Sequence, residues 1–144
     1  MEVFLFFIGG GLYTGIEMLW RGRTHWTMFV LGGACFAVVG LLNEYKFKWK
    51  DSLIMQSLIG AVIITVLEFF TGCIVNLWLG WNVWDYSNLP FNLCGQICLY
   101  FSLIWIPLST IAIVNDDWIR YILCIILHKY FPEMEKRERP QYKL

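Results

Sequence analysis

The chain is short of charge. Only 15% of its 144 residues are Asp, Glu, Lys or Arg, against about a quarter in an average soluble domain. That is too little to coat a water-exposed surface, which excludes an ordinary soluble fold. Histidine is scarcer still, at two residues. No His or acid stands at metal-ligand spacing from a cysteine, so neither a metal site nor a cofactor is expected. There is no Gly-x-x-x-x-Gly-Lys-[Ser/Thr] loop, so the chain cannot itself be an ATPase. It also lacks His-Glu-x-x-His and any ordered nucleophile–base pattern, which leaves no catalytic residue to assign and makes an enzyme the weaker expectation. A net charge of zero removes the electrostatic case for a nucleic-acid partner.

What the chain has in abundance is apolar length. Hydrophobic residues make up 58%, mean hydropathy is +0.58, and the apolar residues fall in long runs. A bilayer-spanning helix needs roughly 20 such residues. Four runs fit, at about 3–20, 26–43, 52–79 and 93–114. The expected fold is all-α: an integral membrane bundle of four transmembrane helices plus a C-terminal interfacial helix. Met1–Leu19 lacks a basic start and a small-residue cleavage site, and carries Glu17 where cleavage would fall; it is expected to be a retained first span. Pro107 is expected to kink the fourth run, and Asn115-Asp116-Asp117 to end it. The apolar stretch that follows is too short to span, so 118–131 is expected to lie at the interface. Residues 1–131 thus form a single transmembrane domain, and 132–144 a charged, solvated cytoplasmic tail. The five cysteines, Cys35, Cys73, Cys94, Cys98 and Cys124, sit in apolar surroundings and read as small hydrophobes.

Charge placement orients the bundle. One side carries Arg21 and Arg23. The other carries Lys46, Lys48 and Lys50, then Arg120, Lys129, Lys136, Arg137, Arg139 and Lys143. The positive-inside rule then predicts a multi-pass cell-membrane protein with both termini cytoplasmic.

Most of the unusual polar residues gather on the outer side. Glu68 is the sharpest, set in Ile63-Ile64-Thr65-Val66-Leu67-Glu68-Phe69-Phe70. An acid at that depth costs on the order of 3 kcal/mol unless protonated or paired. It is either a proton- or ligand-binding carboxylate or a structural partner for Arg21 or Arg23. Glu17 and Arg21 are four apart and can pair on one helix. Arg23 and His25 are headgroup contacts or site residues. Asp85 either fixes a turn in the connector or offers a carboxylate over the bundle mouth. Asn92 and Gln96, four apart at the start of the fourth span, are expected to share a helical face.

The stretch Trp84-Asp85-Tyr86-Ser87-Asn88-Leu89-Pro90-Phe91-Asn92-Leu93-Cys94-Gly95-Gln96-Ile97-Cys98-Leu99 resembles the core of a bacterial family of CmpB-like membrane proteins described as ABC-transporter type IV. The family is also similar to the animal TMEM229 proteins. Leu67-Glu68 and Gly15-Ile16-Glu17 match its further elements, and the likeness reaches to about residue 120. The second span departs from it, with Leu31-Gly32-Gly33 where many members carry Gly-Pro and Tyr-Gly. The resemblance implies membership and a shared outer motif. Residue reading and resemblance together point to a transporter- or permease-like component with membrane lipids around it, completed by a homodimer or a partner subunit such as an ATPase. A membrane accessory subunit, or an enzyme acting on lipid or envelope precursors, is the alternative.

Overall fold

The computed structural model describes residues 1–44, 52–132 and 137–143. Four helices dominate it: α1 (Glu2–Arg21), α2 (Trp26–Gly40), α3 (Leu53–Gly72) and α4 (Leu99–Tyr130). A 3-10 turn at Leu41–Asn43 extends α2, and a π-helical turn at Cys73–Trp78 extends α3. Three segments are long and apolar enough to cross a membrane: Glu2–Arg21, Trp26–Asn43 and Leu53–Trp78. The Lys46, Lys48, Lys50 cluster and Lys136 lie outside the described residues.

α2 is the central helix and packs on α1, α3 and α4. Its glycines explain how closely it meets α1. A Cβ on Gly33 would stand 2.6 Å from the Phe6 carbonyl oxygen, and one on Gly10 would stand 2.7 Å from that of Phe29. Backbone cannot yield, so only glycine fits at either place. In lipid, such close approach supplies the packing that replaces a hydrophobic driving force. Between α3 and α4 hydroxyls do the joining. Ser109 Oγ donates to the Ser57 carbonyl at 2.7 Å, and Ser57 Oγ meets Thr110 Oγ1 at 2.6 Å.

The fourth helix differs from the expectation at both ends. Residues 92–98 are not helical; they form a small antiparallel hairpin of β1 (Asn92–Leu93) and β2 (Ile97–Cys98). The helix starts at Leu99 and runs 32 residues through Pro107 and through Asn115-Asp116-Asp117. At 1.5 Å per residue that is about 48 Å, so no separate interfacial helix exists at 118–131. The polar triplet does not end the helix because Asp116 and Asp117 are buried and hydrogen-bonded, Asp116 within the helix and Asp117 from other segments. Arg120 Nε donates to Asp116 at 2.6 Å, Tyr142 donates to Asp117 at 3.0 Å, and Asn43 also donates to Asp117. Residues 137–143 return to the bundle, where Arg137 pairs with Glu44 and Asp117 and the Lys143 carbonyl accepts the Leu53 N–H at 2.9 Å.

Candidate functional site

The bundle has two polar ends. One holds the chain termini; the other holds the α1–α2 turn and the connector between α3 and α4.

The connector is built by its own motif. Cys94 and Gly95 both take positive φ, 53° and 69°, while the Gln96 N–H donates to the Leu93 carbonyl at 3.0 Å. That is a tight reverse turn, and it closes the hairpin over a three-residue loop, since Leu93 pairs with Ile97. The positive φ favours glycine at 95, and a Cβ there would also crowd the Ser87 hydroxyl and stand 2.8 Å from Asp85 Oδ1. Asp85 Oδ1 accepts from the Ser87 N–H at 2.8 Å and from its hydroxyl, the Asx turn that its position allowed. Those two donors hold the exposed Asp85 carboxyl below its ordinary range, the hydroxyl most; it is ionised at neutral pH. Asn92 bridges the Ser87 and Leu89 carbonyls at 3.2 and 2.8 Å. Trp84 Nε1 donates to the Gln96 carbonyl at 2.9 Å, and Gln96 Oε1 accepts from Asn76 of the π-helical turn at 2.8 Å. The cap is thereby tied to α3. Asn92 and Gln96 are therefore scaffold within a hairpin and do not share a helical face.

Beneath this cap lies a cavity of about 490 Å³. Its walls are α1 and α4, its floor comes from α2, and Glu68 and Ile64 of α3 reach it from behind. Trp84, Asp85 and Tyr86 roof one end, and Asn115 lines it further along α4. The rim residues Leu12, Ile16 and Ile111 are exposed, so the cavity opens sideways between α1 and α4. Along α4 it extends from Phe101 to Asn115, about 21 Å at the helical rise.

Glu68 is 2% exposed. Its Oε1 accepts from the Tyr86 hydroxyl at 3.0 Å and its Oε2 from Trp105 Nε1 at 2.9 Å. One carboxylate thus joins the connector to α4. Neither Arg21 nor Arg23 pairs with it. Arg21 turns to Glu17, Nη1 to Oε1 at 2.7 Å, and its Nη2 donates to the Val83 carbonyl at 2.9 Å. Thr24 donates to the second Glu17 oxygen. Among the described residues, no cation forms an ion pair with Glu68 or with Asp85.

The sequence-predicted residues therefore divide. Glu17, Arg21, Glu68 and Asp85 line the cavity. Arg23 and His25 line a smaller adjoining recess of about 180 Å³, which shares Glu17 and Arg21. His25 also caps α2, accepting from the Thr27 N–H, and its ring lies 5.5 Å from that of Trp81.

A family model described as "Putative ABC-transporter type IV" matches residues 4–133. The chain belongs to this family. No curated protein and no solved structure matches it. In this type IV family member, the two partners of Glu68 were missed by sequence reading. Tyr86 and Trp105 carry no local signal of this role, and only the fold brings them within reach of a carboxylate 18 and 37 residues away.

A second polar group was missed altogether, at the terminal end. Arg120 is 4% exposed. It donates from Nη1 and Nη2 to the two oxygens of Glu2 at 2.7 and 2.8 Å, and from Nε to Asp116. Asp116 is fully buried, and its Oδ1 has no hydrogen-bond partner among the described residues. The i, i+4 spacing that suggested Glu17 with Arg21 also holds for Asp116 with Arg120, and was the available signal.

Proposed function

We propose that this protein is a permease-like transport component of the cell membrane, with its ligand site in the cavity under the connector. In this reading α4 is the fourth span, the connector faces outward and both termini are cytoplasmic. The observation that carries it is Glu68. A buried acid with no counter-ion among the described residues stands at the head of a laterally open cavity and touches both the roof and a wall. A ligand meeting that carboxylate competes with Tyr86 and Trp105, which couples occupancy to the position of the connector. Family membership and the three long apolar segments support the transport class. Glu17 and Arg21 frame the mouth, Asp85 stands above it, and Arg23 and His25 flank it. Asn92 and Gln96 hold the roof in place. A bundle this small offers one cavity wall open to lipid, so a second copy or an ATPase subunit would complete the path.

The test is counterflow in proteoliposomes against cationic, anionic and uncharged amphiphiles. At least one class should equilibrate faster with the wild type than with Glu68→Gln or with protein-free vesicles. If none exceeds protein-free vesicles, the transport reading falls. Orientation is checked with an impermeant maleimide on intact cells. Exposed Cys94 should label from outside, and the signal should vanish in Cys94→Ser.

A further inference from the structure

The charges around the cavity do not balance. Glu17, Glu68 and Asp85 are its acidic lining and Arg21 its basic lining among the described residues. Arg21 is engaged by Glu17 at 2.7 Å, so that pair is neutral in sum. Glu68 and Asp85 are left without a cation. Two hydrogen bonds occupy Glu68, whereas a carboxylate can accept about four. The walls beside it are aromatic: Tyr86 stacks on Phe101 at 4.7 Å between centroids, and Tyr13 lies 6.2 Å from Trp105. All four rings line the cavity. An acid among aromatic faces is an environment that attracts an organic cation, through charge and through the ring quadrupoles. An anionic head would instead meet two unpaired carboxylates. Away from this end the lining is mostly apolar, with Leu12, Ile16 and Ile111 along the opening and Asn115 at the far end. The volume of about 490 Å³ falls within the range of roughly 300–1,000 Å³ that small-molecule pockets occupy.

We propose that the cavity binds a single-chain amphiphile with a protonated or quaternary amine head, its chain lying between α1 and α4 and its head against Glu68 beneath the connector. The ligand supplies the counter-charge that the protein lacks there. Its apolar chain enters by the lateral opening, from the bilayer itself. The inference rests on the proposed site but not on transport: binding requires only the cavity and its charge.

The experiment measures equilibrium binding of radiolabelled dodecyltrimethylammonium to the full chain in nanodiscs of an uncharged galactolipid, corrected for empty discs. Dodecyl phosphate and dodecanol are run beside it. The expected result is saturable uptake of the cation at one per chain, with both competitors weaker by roughly tenfold or more, the factor that 1.4 kcal/mol represents. Glu68→Gln should weaken the cation by a similar factor while leaving dodecanol unchanged. Ala112→Trp, which fills the cavity from the α4 side without touching the carboxylate, should abolish binding of all three. Equal or tighter binding of dodecyl phosphate overturns the proposal, as does cation binding that survives both substitutions. Absence of saturable cation binding to folded wild type overturns it too. If Glu68→Gln does not fold by circular dichroism, the head preference of the wild type and the Ala112→Trp result decide. Cation binding without counterflow would leave this inference standing and remove the transport reading. Counterflow of an anionic amphiphile would do the reverse.

Discussion

At the terminal end, Arg120 gives each of its three guanidinium nitrogens an acceptor, two on Glu2 and one on Asp116. At the connector end, Glu68 is as deeply buried yet is held only by two neutral donors, Tyr86 and Trp105. The first arrangement ties α1 to α4 by charge, with one Asp116 oxygen left without a partner among the described residues. The second leaves a charge unanswered beside open volume. Buried charge that is paired within the fold serves the fold. Buried charge that the fold leaves unpaired is stable only if neutralised by a proton or by something bound, which is why the connector end is the place to look for function.

The comparison breaks first at Arg120. Arg120→Leu would strand the buried Asp116 carboxylate, and removing one partner of a buried pair costs about 3–5 kcal/mol. Denaturant unfolding in micelles should show a loss of that size; a loss under about 1 kcal/mol would mean the terminal end is not held by charge. Gly40→Ala comes next. A Cβ there runs into the Asp116 carboxyl group, and overpacking of this kind costs about 1–3 kcal/mol, so the midpoint of unfolding should fall. Glu68→Gln inverts the pattern. It keeps the shape and an acceptor, so stability should change by no more than about 1 kcal/mol, while binding of the amphiphilic cation falls. If it destabilises as much as Arg120→Leu, the two ends are alike and the distinction fails. The smallest effect is expected for Asp85→Asn. An Asn side chain can accept the Ser87 donors in the same turn, so stability should stay within about 0.5 kcal/mol and only the electrostatic attraction of the mouth should weaken.

Local features were legible where they depend on neighbours in sequence. The Glu17–Arg21 pair follows from helical spacing, and the Asp85 turn from the Asp-x-Ser order. Glu68 was conspicuous because an acid interrupts an apolar run. Legibility failed at the polar stretches that tertiary contacts rescue. Asn115-Asp116-Asp117 looks like a helix end by propensity, but Arg120 of the next turn holds Asp116, Asn43 and Tyr142 hold Asp117 from other segments, and the helix continues. The hairpin at 92–98 failed in the opposite sense. Its apolar residues read as the start of a span, and the positive φ at Cys94 and Gly95 that makes it a turn has only one glycine to announce it.

The amino-acid order by itself determined that this is a membrane protein built of long helices, because burying so much apolar length with so little charge has no other outcome. It also determined that Glu68 is costly and that the Trp84–Gln96 stretch carries a motif. Only the tertiary structure decided which end is a charge-paired tie and which holds an open cavity. That outcome depends on what stands within 3 Å of each buried charged group, and residues 18, 37 and 118 positions apart meet there through helix packing and not through any local rule.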